Sequence, residues 1–366
     1  MLEKEGLCAR HTMVLITLFL FGSSIVIGIN INATVEQDSW ICLILSFLFI
    51  IPQVLILARL IKIFPGKNIY EIFDILFGKI VGKLFSFIFV LHVLYFGTVI
   101  LRNFTEFVEI TTLSETPMIP IMIPLIITTI YLAKSGMNTL GRWGNVILLV
   151  LSITVSATVF LGIPAFNVQN LQPVWGHPSK SIFISAFGIF MIPFAELIVI
   201  MGMADELKIK NKEKSVFLLG TTIAGIILLT LIVRNIMVLG VPMLKNSFFA
   251  SYQTARILQL GDFLTRIEGV ITINLILGGM TKGTVFLISI SKGVAHLTGN
   301  KNYKSLIVPL AIVALGICPF LFEDVVDMFK FPSLFEVYTI PVQVILPIVL
   351  WILAEVHIRR RTKKTS

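Results

Sequence analysis

Ten long apolar runs, separated by polar connections, make up most of the chain. They cover about residues 12–32, 41–58, 84–101, 117–133, 143–164, 181–204, 215–242, 269–291, 305–322 and 337–357. Each is close to the roughly 20 residues that a helix needs to cross a bilayer. Three connections carry patterns of their own. In 59–83, FPGKNIYEIFDILFGKIVGK has a turn at Pro65 and Gly66, and Ile69, Ile72, Phe73, Leu76, Phe77 and Ile80 then recur at helical spacing. This predicts an amphipathic helix on the inner membrane surface. Residues 165–180, AFNVQNLQPVWGHPSK, are rich in turn residues and join two halves of the chain on the outside. Within 243–268, SYQTARILQL predicts a short outer helix.

Two of the runs are poorly made as plain helices. The sixth, SIFISAFGIFMIPFAELIVIMGMADEL, carries Gly188 near its middle, then Pro193, which removes an amide donor, and then Glu196. The first, TLFLFGSSIVIGININ, carries Gly22, Ser23 and Ser24 near mid-depth, followed by Gly28 and Asn30. Backbone freed inside a membrane is tolerated only where it meets protein or a watery cavity. Five runs precede the 165–180 connection and five follow it. Five is odd, so the halves lie in opposite orientations, as an inverted repeat requires. Interruptions at matching places in two such halves point to a binding site. For Gly22 to Ser24, close helix packing is the competing reading.

The expected architecture is therefore an all-α membrane protein, a single transmembrane domain over residues 1–366. Its ten transmembrane helices form a 5+5 inverted repeat (12–164 and 181–357) ahead of a basic cytoplasmic tail, 358–366, with helices 1 and 6 broken.

Composition agrees with this. The chain is 56% hydrophobic and only 13% charged, against about 25% charged in soluble domains, and its mean hydropathy is +0.96. The net charge of +9 reports topology rather than a nucleic-acid partner. Placing the N-terminus in the cytoplasm puts 21 Lys and Arg on that side and 6 on the other, so both termini are expected inside. MLEKEGLCAR is mixed in charge and no cleavage pattern follows it, so the first run reads as a span rather than a signal peptide. Cys8, Cys42 and Cys318 are too scattered for a disulfide framework or a metal cluster. No catalytic constellation, metal site or cofactor motif is found, and GGMTKGT lacks phosphate-loop spacing. The expected class is a binding or transport protein, not an enzyme.

Four charged side chains fall inside the runs: Glu196, Arg234, Lys282 and Glu355. An ionisable residue inside a span is a functional-site candidate by default. Glu355 lies near the inner end of the last run and reads as interfacial. Arg234 lies in the outer half of the seventh, where snorkelling to the surface is one reading and a functional role the other. Glu196 and Lys282 are deeper. They either lock two helices as a structural pair or serve a proton or solute site. Phe187, Ile189 and Tyr95 join the candidate lining, and His92 is a possible further member.

The opening TMVLITLFLFGSSIVIGIN, the surface helix FPGKNIYEIFDILFGKIVGK, the stretch LRNFTEFVEITTLSETP and the sixth run FGIFMIPFAELIVIMGM resemble the B subunit of spore germinant receptors, the spore-permease family. The likeness runs along essentially the whole chain. It implies a branch of the amino acid–polyamine–organocation transporters with a LeuT-like fold. It implies a small-molecule germinant, usually an amino acid, held at mid-membrane by the unwound parts of helices 1 and 6. On this chain the solute backbone would meet Gly22, Ser23, Ser24, Gly188 and Ile189. It also implies two partners, a membrane A subunit and a lipoprotein C subunit, in the inner spore membrane. An active amino acid/proton symporter of the same fold is the alternative.

Overall fold

The computed structural model describes residues 6–25, 27, 34–258, 267–330 and 338–365. Its regular structure is helical apart from one short ladder, in which Leu7–Cys8 pairs in parallel with Leu207–Lys208. Helices α1 (Ala9–Phe21), α2 (Ser39–Ile63), α3 (Ile69–Phe77), α4 (Lys79–Thr111), α5 (Met118–Lys134), α6 (Met137–Gly162) and α7 (Ser179–Ile189) come first. A π-helical turn, Phe190–Phe194, and a 3₁₀ segment, Ala195–Glu206, continue from α7. Then follow α8 (Glu213–Lys245), α9 (Ala250–Ile257), α10 (Ile267–Thr298), α11 (Ile307–Ile317), α12 (Val325–Lys330) and α13 (Leu346–Thr365).

Among the described residues, eight helical stretches are long and apolar enough to cross a membrane, and two more, Ala9–Phe21 and Met118–Lys134, are apolar but shorter. This is an integral membrane protein, and each apolar run of the sequence holds one of these elements. With 13 residues, α1 is about 20 Å long, short of a hydrocarbon core about 30 Å thick.

The core sits around the segment that follows α7. Every residue from Ala195 to Ala204 is buried. Helix α10 packs along it, α2 and α3 cover other sides, and α1 lies between α8 and α10. Two findings add to the expectations. The apolar face of α3 packs onto the protein through Ile69, Tyr70, Ile72 and Phe73, which are buried, with Phe73 against Phe85 and Phe89 of α4, whereas Ile80 just beyond it is exposed. Burial pushes the Tyr70 hydroxyl up, and it donates to the Ser289 carbonyl at 2.8 Å. Helix α4 is also longer than its apolar run. Arg102 and Glu106, read as part of a connection, form a buried pair at 2.6 Å on its last turns.

The 165–180 connection is anchored from both sides. A kink at Gly240 of α8, ahead of Pro242, frees the Met237 carbonyl, which accepts from the Asn167 amide and from Asn170 Nδ2, both at 3.1 Å. At the start of α2, the fully buried Asp38 carboxylate accepts from the Trp175 and His177 amides. The sequence SYQTARILQL does contain a short helix, α9.

Candidate functional site

The interruption after α7 has a local cause. Ile192 precedes a proline, and the proline ring crowds a helical conformation out of the preceding residue. Ile192 accordingly sits at φ −130°, ψ 110°. Pro193 has no N–H to give, so the ladder does not close across it. The chain resumes as 3₁₀ helix over Ala195–Glu206, interrupted at Met203 (φ −123°, ψ 19°); 3₁₀ helix rarely exceeds 3–4 residues and marks hinges when it lies mid-helix. Backbone released there finds side chains: Gln53 of α2, itself buried, donates to the Ala195 carbonyl at 2.8 Å and to the Gln343 carbonyl at 3.0 Å.

Helix α1 ends at Gly22, and the chain continues through Ile25 as turns, with Ser24 N bonding the Phe21 carbonyl at 2.8 Å. A Cβ on Gly22 would stand 2.8 Å from Lys282 Cβ and 2.9 Å from the Gly278 carbonyl. Gly22 therefore lets the end of α1 touch the backbone of α10. Close packing is the role the structure gives it.

That approach assembles a charged cluster from three elements. Lys282 of α10 forms an ion pair with Glu196, donates to Ser23 Oγ at the end of α1, and stands 5.1 Å above the Phe19 ring. Lys282 is 1% exposed and Glu196 2%. A buried pair without further hydrogen bonds barely offsets its desolvation; here Ser23 and the Phe19 ring add to it. A second ionic rung joins the same two elements ten residues further along, where Lys292 reaches Asp205 at 2.6 Å and Glu206 at 2.9 Å. Gly202 lies between the rungs, where any Cβ would collide with Ser289 of α10.

Among the sequence candidates, Ser23, Glu196 and Lys282 meet directly, with Gly22 against them. Gly188, Ile189 and Pro193 are buried at the interruption itself. Phe187 is half-buried and packs edge-on to Phe49 of α2 at 5.8 Å. Tyr95 is half-buried on α4, next to Phe96, whose ring stacks on Phe286 and through it on Phe19. His92 lies in the same aromatic row, 4.7 Å from Phe96. Gly28 lies outside the described residues. Glu355 makes an exposed pair with Arg59 at 2.6 Å, as its interfacial position suggests.

Ser24 turns away from Lys282 and lines a small cavity of about 20 Å³ with Asn235, Ser251 and Tyr252. Its Oγ is buried without a hydrogen-bond partner among the described residues. Phe249 and Tyr252 of this cavity also line a wider hollow beside Thr111, Pro242 and Gln253. Arg234 does not snorkel: it is 2% exposed and points into the bundle. Gln53, Gln343 and Asn235 were not singled out from sequence. Uncharged polar residues inside apolar runs were the signal that would have found them.

The comparisons with known proteins agree with this picture. A family profile described as "Spore germination protein" matches residues 6–324. Spore germination protein KB of Bacillus subtilis (strain 168) is 26% identical over 381 residues, covering 99% of this chain and 98% of that protein. The putative spore germination protein YfkT of the same organism is 25% identical and covers 87% of each chain. In three dimensions the chain is similar to Mhp1, a nucleobase-cation-symport-1 family transporter with bromovinylhydantoin bound. The TM-score is 0.65 at 14% identity, over 93% of this chain and 77% of that one. It is also similar to MhsT in complex with L-phenylalanine, with a TM-score of 0.64 at 13% identity, over 96% and 89% of the two chains. These neighbours share the LeuT fold.

Proposed function

The chain belongs to the spore germination protein family, and on that premise we propose that it is the germinant-sensing membrane subunit of a spore germination receptor. In this reading a small nutrient, an amino acid by first choice, binds at mid-membrane where the ends of two interrupted helices face α10. The whole chain forms ten transmembrane helices, two five-helix repeats (12–164 and 181–357) of opposite orientation, with helices 1 and 6 broken and both termini in the cytoplasm. It resides in the inner spore membrane and signals through an A subunit and a lipoprotein C subunit.

One observation carries the reading: Lys282 spans Ser23, at the end of α1, and Glu196, just past the Pro193 interruption. A solute with an ammonium and a carboxylate offers the same two charges. Its ammonium competes with Lys282 for Glu196, and its carboxylate competes with Glu196 for Lys282. Gly22, Ser23 and Ser24 at the end of α1, Gly188 and Ile189 in the last turn of α7, and Gly28 supply backbone contacts. Phe187, Tyr95 and Pro193 shape the remaining wall. Exchange of one ion pair for two couples binding to movement of the elements that carry it, because a ligand shifts a conformational equilibrium only by its differential affinity for the two states.

Transport of the same solute, coupled to protons, is the second reading, and the fold shared with transporters favours it. Spores with and without the gene, exposed to a panel of amino acids, sugars and nucleosides, test the receptor role. Loss of response to one solute class supports it, and equal germination by both strains to all of them contradicts it. Counterflow of the active solute in proteoliposomes would move the assignment to the transporter.

A further inference from the structure

Arg234 is the one fully buried cation whose hydrogen-bond partners among the described residues are all neutral. Its Nε and Nη2 donate to Asn235 Oδ1 at 3.2 and 2.8 Å, and Nη1 donates to Thr158 Oγ1 at 2.6 Å. No described carboxylate comes within 4.0 Å of it, whereas the buried Arg102, Lys282 and Lys292 each have one. A guanidinium carries five N–H donors and cannot shed its charge. Three are used here, and two remain.

The side chain faces a cavity of about 20 Å³ that it lines together with Thr158, Ser251 and Asn274. That is room for roughly one water-sized group. Asn274 is 4% exposed, and its Oδ1 has no hydrogen-bond partner among the described residues. A half-turn of the amide presents N–H groups to the same space, since amide oxygen and nitrogen are exchanged by that rotation. A buried, fixed positive charge and an unpartnered amide thus line one small space. Leu231, Ser251 and Leu275 also line the cavity at Ser24, which in turn shares Phe249 and Tyr252 with the wider hollow.

We propose that Arg234, with Asn274 and Thr158, forms a binding site for a small monovalent anion, a carboxylate group or a halide. The geometry of the site is independent of the receptor reading; only the assignment of the anion to the nutrient's own carboxylate rests on it, and that assignment moves the carboxylate from Lys282 to Arg234. The guanidinium supplies the countercharge, and its fixed fork favours a planar carboxylate. Asn235 holds the guanidinium in place and is in turn held by Ser251 and Thr254, at 3.0 Å each.

The test uses purified protein in nanodiscs with sodium methanesulfonate as background salt. Thermal unfolding is followed as chloride, acetate, an amino acid or its amide is titrated in. The site requires that chloride or acetate raise the midpoint saturably, that Arg234→Gln abolish the rise, and that Arg234→Lys retain part of it. Arg59→Gln, at the exposed pair with Glu355, should leave the rise in place. If the anion is the solute's own carboxylate, the amino acid binds about 10-fold or more tighter than its amide, and Arg234→Gln removes that difference. No saturable response of the wild-type protein to any anion overturns the proposal without recourse to a variant. Anion binding with no amino acid binding leaves this site standing and removes the receptor reading. Equal binding of acid and amide, with no response to chloride or acetate, does the reverse.

Discussion

Lys282 and Arg234 are enclosed to nearly the same degree, at 1% and 2% exposure, but they are neutralised differently. Lys282 has a carboxylate from the same chain, Glu196, and a hydroxyl from a third element. Arg234 has only amide and hydroxyl oxygens. The first cluster is complete as it stands, so anything that enters must displace part of it. The second is short of one negative charge, so something can be added to it. Each kind of burial therefore predicts a different response to mutation.

The largest effect is expected at the complete pair. Glu196→Gln leaves Lys282 buried without an anion and should destabilise the protein by about 3–5 kcal/mol. The double variant Glu196→Gln with Lys282→Met should recover much of that loss, because both charges are then gone. Unfolding in mild detergent, read for the two variants side by side, checks this. Next comes Gly22→Ala, whose added methyl meets Lys282 Cβ and the Gly278 carbonyl. Overpacking there should cost about 1–3 kcal/mol, and a matching Gly283→Ala, whose new Cβ would find no neighbour nearer than 3.6 Å, should cost less. Gln53→Leu leaves the Ala195 carbonyl without its donor, for a loss of about 1–3 kcal/mol.

Arg234→Gln should run the other way. In anion-free buffer it removes an uncompensated charge, so stability should hold or rise by up to about 1 kcal/mol. A loss comparable to that of Glu196→Gln would erase the contrast between the two clusters. The smallest effect belongs to the exposed pair of Arg59 and Glu355, 43% and 30% exposed at their side chains. Breaking it with Arg59→Gln should change stability by less than about 1 kcal/mol.

Much of the fold was legible in the residues. Each apolar run contains an apolar helix, and the proline that breaks the sixth was visible as Pro193. Glu196 and Lys282 could be singled out because charge is rare and costly inside an apolar run. Their pairing was one of two open readings, since no rule of spacing relates residue 196 to residue 282. Arg234 stood between snorkelling and a buried role, because snorkelling depends on where the side chain finds room, and here α6 and α9 enclose it. The packing of α3 on the protein was not legible for a related reason: an amphipathic face fits a membrane surface or a protein surface equally well. Arg102 and Glu106 were taken as part of a connection because hydropathy alone does not see that a helix continues past its apolar stretch. Gly22 was ambiguous between unwinding and close packing: α1 ends at it, and the approach of Gly278 on another helix, invisible in the sequence, adds the packing role.

The central claim is that Ser23, Glu196 and Lys282 hold the solute. Equilibrium binding of labelled amino acids to the nanodisc-embedded protein tests it most directly, with Lys282→Gln compared against Lys292→Gln on the same helix. The account predicts saturable binding that falls about 10-fold or more in Lys282→Gln and is largely kept in Lys292→Gln. Binding of equal strength in both variants and the wild type, or its absence in all three across the panel, would contradict it.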